Sequence, residues 1–422
     1  MTRRHAIVRW GILLFALCGA YAVKDLHSAP AIKWMDIWYP SDLHGISAAD
    51  AIAFILSLKV PIPPMLAGLE IFSDWLTGTP DIVTIWLYRA SLVGAYVLAL
   101  VLARGSLARW GMALVASGVF LYATTVIHPG NPQGYDIFFP VVFLLYVCCL
   151  QKAADMGGAV AGMGGPRLRV MPWAVAAGLC LALTEWMRPF VIYMLPLLLW
   201  MSYLMIRQRH AGWAVWGAFA LPVVLMCGAW HAHLWSAHRQ LTMSNHVGFN
   251  LQRAWPQAPM PPLVDEVHNA PLKPGRWPNL NTVEHQHNSE TLKKAVLTYW
   301  RQHPGASLKA LWRHMRVFVN GPTDIYGHKP TSRVFGIYKV MTRWLSLIVG
   351  LKAIVVLWRV VAKRGRHLAE PLDAGDIIGV FFLLCLLFLC AGEMGEEARF
   401  LISLTPMLAC MPFMRSPQGH AP

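Results

Sequence analysis

Apolar residues gather in ten long stretches, at about residues 6–23, 82–103, 110–127, 135–150, 172–187, 189–206, 213–230, 343–362, 376–392 and 400–414. A helix rising 1.5 Å per residue needs about 20 mostly apolar residues to cross roughly 30 Å of hydrocarbon, and these stretches are near that length. The pattern predicts an all-α polytopic membrane protein with about ten transmembrane helices. Two shorter apolar stretches, Ala48 to Leu58 and Pro64 to Leu76, fall short of a span. Ser47 is placed to cap the first, and both are expected to lie in the membrane interface within the first loop. The long polar stretch at about 231–335 is Pro-rich from Trp255 to Pro278, then expected to be helical from Ser289 to about Val319.

Charge gives this pattern a direction. Threading the spans in alternation puts Arg3 and Arg4, Arg104 and Arg109, Lys152, Arg167 and Arg169, Arg207 and Arg209, Lys363, Arg364 and Arg366, and Arg415 on one side. The positive-inside rule makes that side the cytoplasm. Both termini are then cytoplasmic, and the loops at about 24–81 and 231–335 face outward. The expected location is a bacterial inner membrane, crossed many times, with any site on the periplasmic side. Residues 6–23 are expected to be an uncleaved first span, because Lys24-Asp-Leu-His27 is a poor cleavage site for a signal peptide.

Composition narrows the function classes. The chain is 56% hydrophobic and 14% charged, against roughly 45–50% and about 25% in soluble domains. The formal charge of +15 is dispersed between apolar stretches instead of forming a basic face, so no nucleic-acid partner is expected. All eight cysteines lie inside apolar stretches, which argues against a disulfide framework or a Cys-rich zinc site. A single membrane domain over 1–422, without a separate soluble domain, is the expected organisation. The Gly-rich tract Gly157 to Gly165 fits neither a P-loop nor a dinucleotide fingerprint and is expected to be a linker.

Candidate chemistry is sought among ionisable residues at the outer ends of spans, where they are costly to keep without a role. Asp42 follows Trp38-Tyr-Pro-Ser41 and precedes the first interfacial stretch, placing a carboxylate suited to general-base work. Asp36 is its rival. Asp136, at the outer entrance of the fourth span, is a second candidate, although a carboxylate there also complements a helix dipole. Arg188 and Arg399 break the positive-inside pattern on the outer side; an Arg fork suits a phosphate or carboxylate. Pairing with Glu185 for Arg188, or with Glu393, Glu396 and Glu397 for Arg399, is the plainer explanation. His285-Gln-His287 is a weak metal signal, and loop histidines are expected to be solvated. Trp230, Trp235 and Trp255 are expected first as interface anchors.

Several of these stretches, taken in order, resemble the GT-C class of membrane glycosyltransferases, nearest the protein O-mannosyltransferase and lipid A aminoarabinose transferase branch (glycosyltransferase family 39-like). Tyr39-Pro-Ser-Asp42 resembles its acidic motif, and Pro61 to Glu70 with Trp75-Leu-Thr-Gly and Tyr88-Arg-Ala-Ser91 its two-proline segment. Thr125 to Phe139 resembles its second acidic position, Asp136. Thr184 to Pro189 resembles a Thr-Arg-Pro signature interrupted by Glu185-Trp-Met187, and Ser244 to Leu251, Arg301 to Gly305, and Arg399-Phe400 with Pro406 complete the series. Leu43 and His44 stand where the family usually continues its acidic pair, and that departure keeps Asp36 in contention.

The resemblance implies an inverting transfer from a polyprenyl-phosphate-linked sugar, in the membrane lipid, to a periplasmic lipid, glycan or protein. Asp42, Asp136 or Asp36 would be catalytic, Arg188 and Arg399 would hold the donor phosphate, and His246, Asn250 and Glu185 would contact substrate. No cofactor is expected, and a divalent cation is left open. Two rival classes are a transporter or flippase of lipid-linked sugar and an O-antigen ligase or polymerase. The ligase reading rests on His287-Asn-Ser-Glu-Thr-Leu292, whose spacing departs from that family's His motif.

Overall fold

The computed structural model describes residues 82–103, 107–127, 134–163, 169–188, 190–209, 211–239, 246–264, 283–319, 333–362, 371–392 and 397–414, with Gly11 and scattered positions from Ser47 to Gly78. Every element among these is helical. They are α1 (Ile82–Leu102), α2 (Leu107–Ile127), α3 (Gly134–Met163), α4 (Met171–Met187), α5 (Val191–Gln208), α6 (Trp213–His238), α7 (Val247–Ala254), α8 (Val283–Gln302), α9 (Pro304–Val319), α10 (Arg333–Ala362), α11 (Ala374–Gly392) and α12 (Glu397–Cys410). A short 3-10 turn, Met411–Phe413, follows.

Among the described residues, five helical segments are long and apolar enough to cross a membrane: Phe138–Gly157, Val191–Gln208, Trp213–Ala237, Gly336–Val361 and Ala374–Gly392. Four shorter apolar helices, Val93–Leu102, Ala108–Leu121, Met171–Met187 and Ser403–Phe413, coincide with other expected stretches. The stretch at 6–23 lies outside the described residues except for Gly11, which packs against the Trp110 ring of α2. The surface is turned inside out relative to a soluble bundle. Along α10, Ile337, Val340, Trp344, Leu347, Leu351, Trp358 and Val361 recur at helical spacing and are 48–71% exposed, with Arg343 the one charge among them. A continuous apolar stripe of that size on the outside of a monomer calls for lipid or protein cover.

The α3 helix is the hub, packed against α1, α4, α11 and α12, while α4 is sandwiched between α3 and α6. Small residues permit the closest approaches. A Cβ at Gly178 of α4 would overlap the Phe219 carbonyl of α6, the arrangement by which small residues bring helix backbones together in membranes. Gly178→Ala is expected to destabilise the fold by about 1–3 kcal/mol through overpacking. The control is Gly217→Ala, since nothing lies within 4 Å of a Cβ there. Thermal unfolding of the two variants in detergent reads the difference; equal melting would refute the tight α4–α6 contact. Buried hydroxyl pairs tie further helices: Tyr96 to Thr405 and Tyr146 to Ser202, each at 2.7 Å, worth about 0.6 kcal/mol apiece in a membrane setting.

Helix ends fix which termini lie together. At one end, Asp155 of α3 pairs with Arg209 beyond α5. Gln151 of α3 accepts from the Ala374 N–H at 3.1 Å, and Gln208 from the Leu372 N–H at 2.8 Å. Asp373 and Asp376 cap α11 reciprocally, each backbone N–H donating to the other's carboxylate at 3.1 and 3.0 Å, as in a capping box. Lys352 of α10 lies 3.8 Å from Asp376.

At the other end, α7, α8 and α9 form a polar layer over the bundle. It is fastened to α11 by two donors that satisfy carbonyls left over at that helix's C-terminus. Trp255 Nε1 donates to Ala391 O at 2.6 Å, and His314 Nδ1 lies 2.9 Å from Cys390 O. Trp255 is only 2% exposed, so it is a buried fastener and not an interface anchor.

Several boundaries depart from expectation. The sixth helix runs to His238, not 230, so His231 is helical and not the start of a loop. The third runs to Met163, so much of the Gly-rich tract is helix and not linker; Gly157 packs directly on Ala211. The loop helix starts at Val283 and breaks at His303, because the residue before Pro304 is pushed out of the helical region. In the first loop, the Asp50 N–H donates to Ser47 Oγ at 3.1 Å, the cap expected there.

Candidate functional site

The end of the bundle beneath the α7–α9 layer holds an unusual set of buried polar groups. The α4 helix stops at Met187 because Pro189 follows Arg188 in the sequence, and a residue before proline is extended. Arg188 is the C-cap, with φ −131° and ψ 102°, and its N–H still reaches the Thr184 and Glu185 carbonyls at 3.1 and 3.2 Å. That geometry leaves the guanidinium at the rim of α4, 8% exposed, with Cζ 5.9 Å from the Phe139 ring centroid. Phe139 in turn packs against Phe190 and Phe381, and Phe190 stacks on Phe388 at 4.9 Å. The cation is thus set over an aromatic floor drawn from α3, α11 and the α4–α5 turn, a favourable cation–π placement.

Glu185, one turn inside α4, is fully buried. Its Oε1 lies 2.8 Å from Nε2 of His231 on α6, and Cys227, one turn earlier on α6, lies beside the same carboxylate. Pairing of Glu185 with Arg188 was the plainer expectation, and it is corrected: the carboxylate is occupied by His231, and the Arg188 guanidinium sits over Phe139. His231→Ala strands a buried acceptor and is expected to destabilise the fold by about 1–3 kcal/mol. His231→Gln, which keeps a donor, should recover part of that. A melting curve in detergent shared by both variants and the parent would overturn the pairing.

Two tryptophans complete this corner, Trp186 and Trp230, with ring centroids 6.2 Å apart. Glu185 Oε2, His231 Nδ1, Trp186 Nε1 and Trp230 Nε1 are all buried, and none has a hydrogen-bond partner among the described residues. Four such atoms in one corner are far from the norm, since buried polar groups are almost always partnered.

His246 and Asn250 belong to the covering layer. His246 precedes α7, and its Nδ1 lies 3.0 Å from Nε2 of His285. The two rings stack with Phe249 at centroid distances of 4.4–5.3 Å. His285 is therefore a buried packing residue, not a solvated loop histidine. Asn250 sits half-buried one turn into α7, its N–H donating to His246 O at 3.2 Å. Gly248 between them is required, because its N–H donates to Ser289 Oγ at 2.9 Å and a Cβ would overlap the Ser289 carbonyl. Asn288 binds both the N–H and the carbonyl of Val264, at 2.9 and 2.8 Å.

The remaining expected residues are only partly placed. Asp136 falls in the first turn of α3 and Arg399 in the first turn of α12, with their side chains outside the described residues. Asp36 and Asp42 lie outside the described residues altogether. Among the described residues no group of three or more His, Cys, Asp or Glu side chains is arranged to hold a metal. The structure pairs Glu185 with His231 on the α6 side of α4, sets Arg188 over Phe139 of α3, and places His246 in a separate histidine–aromatic stack, with Asn250 in the helix that follows it. His231 was missed because its stretch was ended where hydropathy falls. The signal that reveals it is the i, i+4 spacing of Cys227 and His231, which puts both on one face once the helix is extended.

No protein-family model, curated protein or solved structure matches the chain. Its class is set by its own residues: an all-helical protein with apolar helices suited to a membrane and a buried ionisable cluster at one end.

Proposed function

We propose that the chain is a GT-C-type glycosyltransferase of a bacterial inner membrane. It would span the membrane about ten times, keep both termini in the cytoplasm, and transfer a sugar from a polyprenyl-phosphate carrier on the periplasmic face. The observation that carries this reading is Arg188, a buried guanidinium at the end of a membrane helix, at the same end of α4 as the unsatisfied Glu185, Trp186 and Trp230 atoms. A lipid-borne sugar phosphate brings an anion for the Arg fork and hydroxyls for the remaining atoms. The aromatic faces of Trp186 and Trp230 also suit the apolar face of a sugar.

The chemistry is a direct displacement. An acceptor hydroxyl or amine attacks the anomeric carbon, the bond from that carbon to the phosphate oxygen breaks, and the phosphate leaves with the electron pair. The acceptor proton passes to an Asp base, Asp42 or Asp36, with Asp136 as the second acidic group. The phosphate needs charge stabilisation more than protonation, and Arg188 with Arg399 would supply it. The anomeric centre inverts. Residues of the covering layer, His246 and Asn250 among them, would face the acceptor.

A transporter of lipid-linked sugar is the rival reading. Transporters place charged groups near the bilayer midplane, at broken helices. The buried ionisable side chains among the described residues are Glu185, Arg188, His285, His314, Asp373 and Asp376. Each lies at a helix end or in the covering layer, which favours surface chemistry over a midplane pathway. The deciding experiment compares, by mass spectrometry, lipid-linked sugars and surface glycans of cells with and without the gene. The transferase reading expects one acceptor to lose a sugar while its polyprenyl-phosphate donor accumulates. Loss of the donor from the outer leaflet, with transfer intact in opened membranes, would instead identify a flippase.

A further inference from the structure

A second concave surface lies at the opposite end of the bundle, where α5 turns into α6. Tyr203, Ile206, Arg207, Gly212, Trp213 and Trp216 line a cavity of about 420 Å³. No carboxylate is among them, and two independent features offer positive charge or donors. Arg207, in the last turn of α5, is exposed, with its guanidinium carbon 5.9 Å from the Tyr203 ring and Nη1 donating to Tyr203 Oη at 3.3 Å. Its planar fork has further donors to present. Gly212, at φ +85°, provides no side-chain cap for α6, and the first turn of that 26-residue helix has no acidic residue. The open N–H groups and dipole of a helix N-terminus favour an anion there. The neighbouring Arg209 is engaged by Asp155, so that carboxylate does not neutralise Arg207.

What lies outside the cavity identifies the source of the anion. From Trp213 an exposed stripe runs along α6 through Gly217, Leu221, Val224, Leu225 and Gly228, without a polar side chain. Trp213 is 70% exposed at its head. A ligand with an oxyanion at one end and hydrocarbon at the other matches the cavity and the stripe together. We propose that the α5–α6 cavity binds the phosphate of an anionic phospholipid, with its acyl chains laid along the α6 stripe. Arg207 and the α6 N-terminus hold the phosphate oxygens, and Trp213 and Tyr203 flank the glycerol region. This site is independent of the sugar-transfer reading.

The test uses the full chain in detergent and native mass spectrometry, with dioleoyl-phosphatidylglycerol, dioleoyl-phosphatidylcholine and inorganic phosphate as separate probes. Phosphatidylglycerol should be retained through desolvation and raise the melting temperature, while phosphatidylcholine is retained far less. Arg207→Gln should lower phosphatidylglycerol retention by about tenfold or more, as expected for losing a charge-assisted hydrogen-bonding group. Trp213→Ala, which removes the exposed ring that flanks the glycerol region, should lower it less. If Arg207→Gln fails to fold, Trp213→Ala and the lipid comparison decide. Equal retention of the two lipids, or phosphatidylglycerol retention unchanged in every folded variant, overturns the proposal. Stabilisation by inorganic phosphate without retention of any lipid overturns the lipid source and leaves a soluble-anion site.

Discussion

Arg188→Ala is expected to lower sugar transfer by about 10²–10³-fold, the range for removing one group that stabilises developing negative charge in a closed site. On the proposed mechanism the phosphate leaving group would carry its charge toward this guanidinium in the transition state, and the guanidinium is held by its extended backbone and its aromatic floor. Because Arg188 is nearly buried, its aliphatic stem also packs, and alanine confounds lost charge with lost packing. Arg188→Met separates the two, since it keeps the stem and removes the charge. Turnover in proteoliposomes with a polyprenyl-phosphate sugar should fall nearly as far in the methionine variant as in the alanine variant, with the melting temperature retained. Arg188→Lys should fall between, because an ammonium lacks the planar fork. If the methionine variant turns over at the parental rate, Arg188 is a packing residue and the donor phosphate lies elsewhere.

How much of this was legible in the sequence depends on what kind of contact each residue makes. Stretches such as 376–392 reappear as helix almost unchanged, because hydropathy and helix length report the same physical limit there. At 213–230 they part company. The bilayer limits the apolar run, but nothing stops the helix, and His231, His233 and His238 continue it. That extension turned His231 from a loop residue into the partner of Glu185. Glu185 and Arg188 themselves were legible as outliers, charges placed where neither lipid nor the positive-inside rule accounts for them.

The covering layer was hardly legible. The contact of His246 with His285 spans 39 residues, and that of Trp255 with Ala391 spans 136. No periodicity within a segment encodes such pairings. Composition even pointed the wrong way, since a histidine-rich, Pro-rich loop reads as solvated, whereas His285 and His314 are buried. The small-residue contact of Gly248 with Ser289 is likewise a tertiary fact, visible only once α7 and α8 lie side by side.

The largest effect is expected at the base. Asp42→Asn should reduce transfer by about 10²–10⁴-fold, the contribution typical of a positioned general base, while expression and melting remain those of the parent. The amide keeps the shape of the carboxylate and removes its ability to take the acceptor's proton, so the loss should appear in kcat and not in KM for the lipid donor. Asp36→Asn is the necessary companion, because Asp36 and Asp42 are the two candidate bases in the same loop and only one of them can serve. Single-turnover transfer in proteoliposomes distinguishes them. Near-parental turnover in Asp42→Asn with loss in Asp36→Asn moves the role to Asp36, and full activity in both removes the Asp-base mechanism. The outcome also bears on the buried corner at Glu185. Should neither Asp matter while Glu185→Gln abolishes turnover, the proton would pass through the Glu185–His231 pair, whose contact at 2.8 Å is already in place.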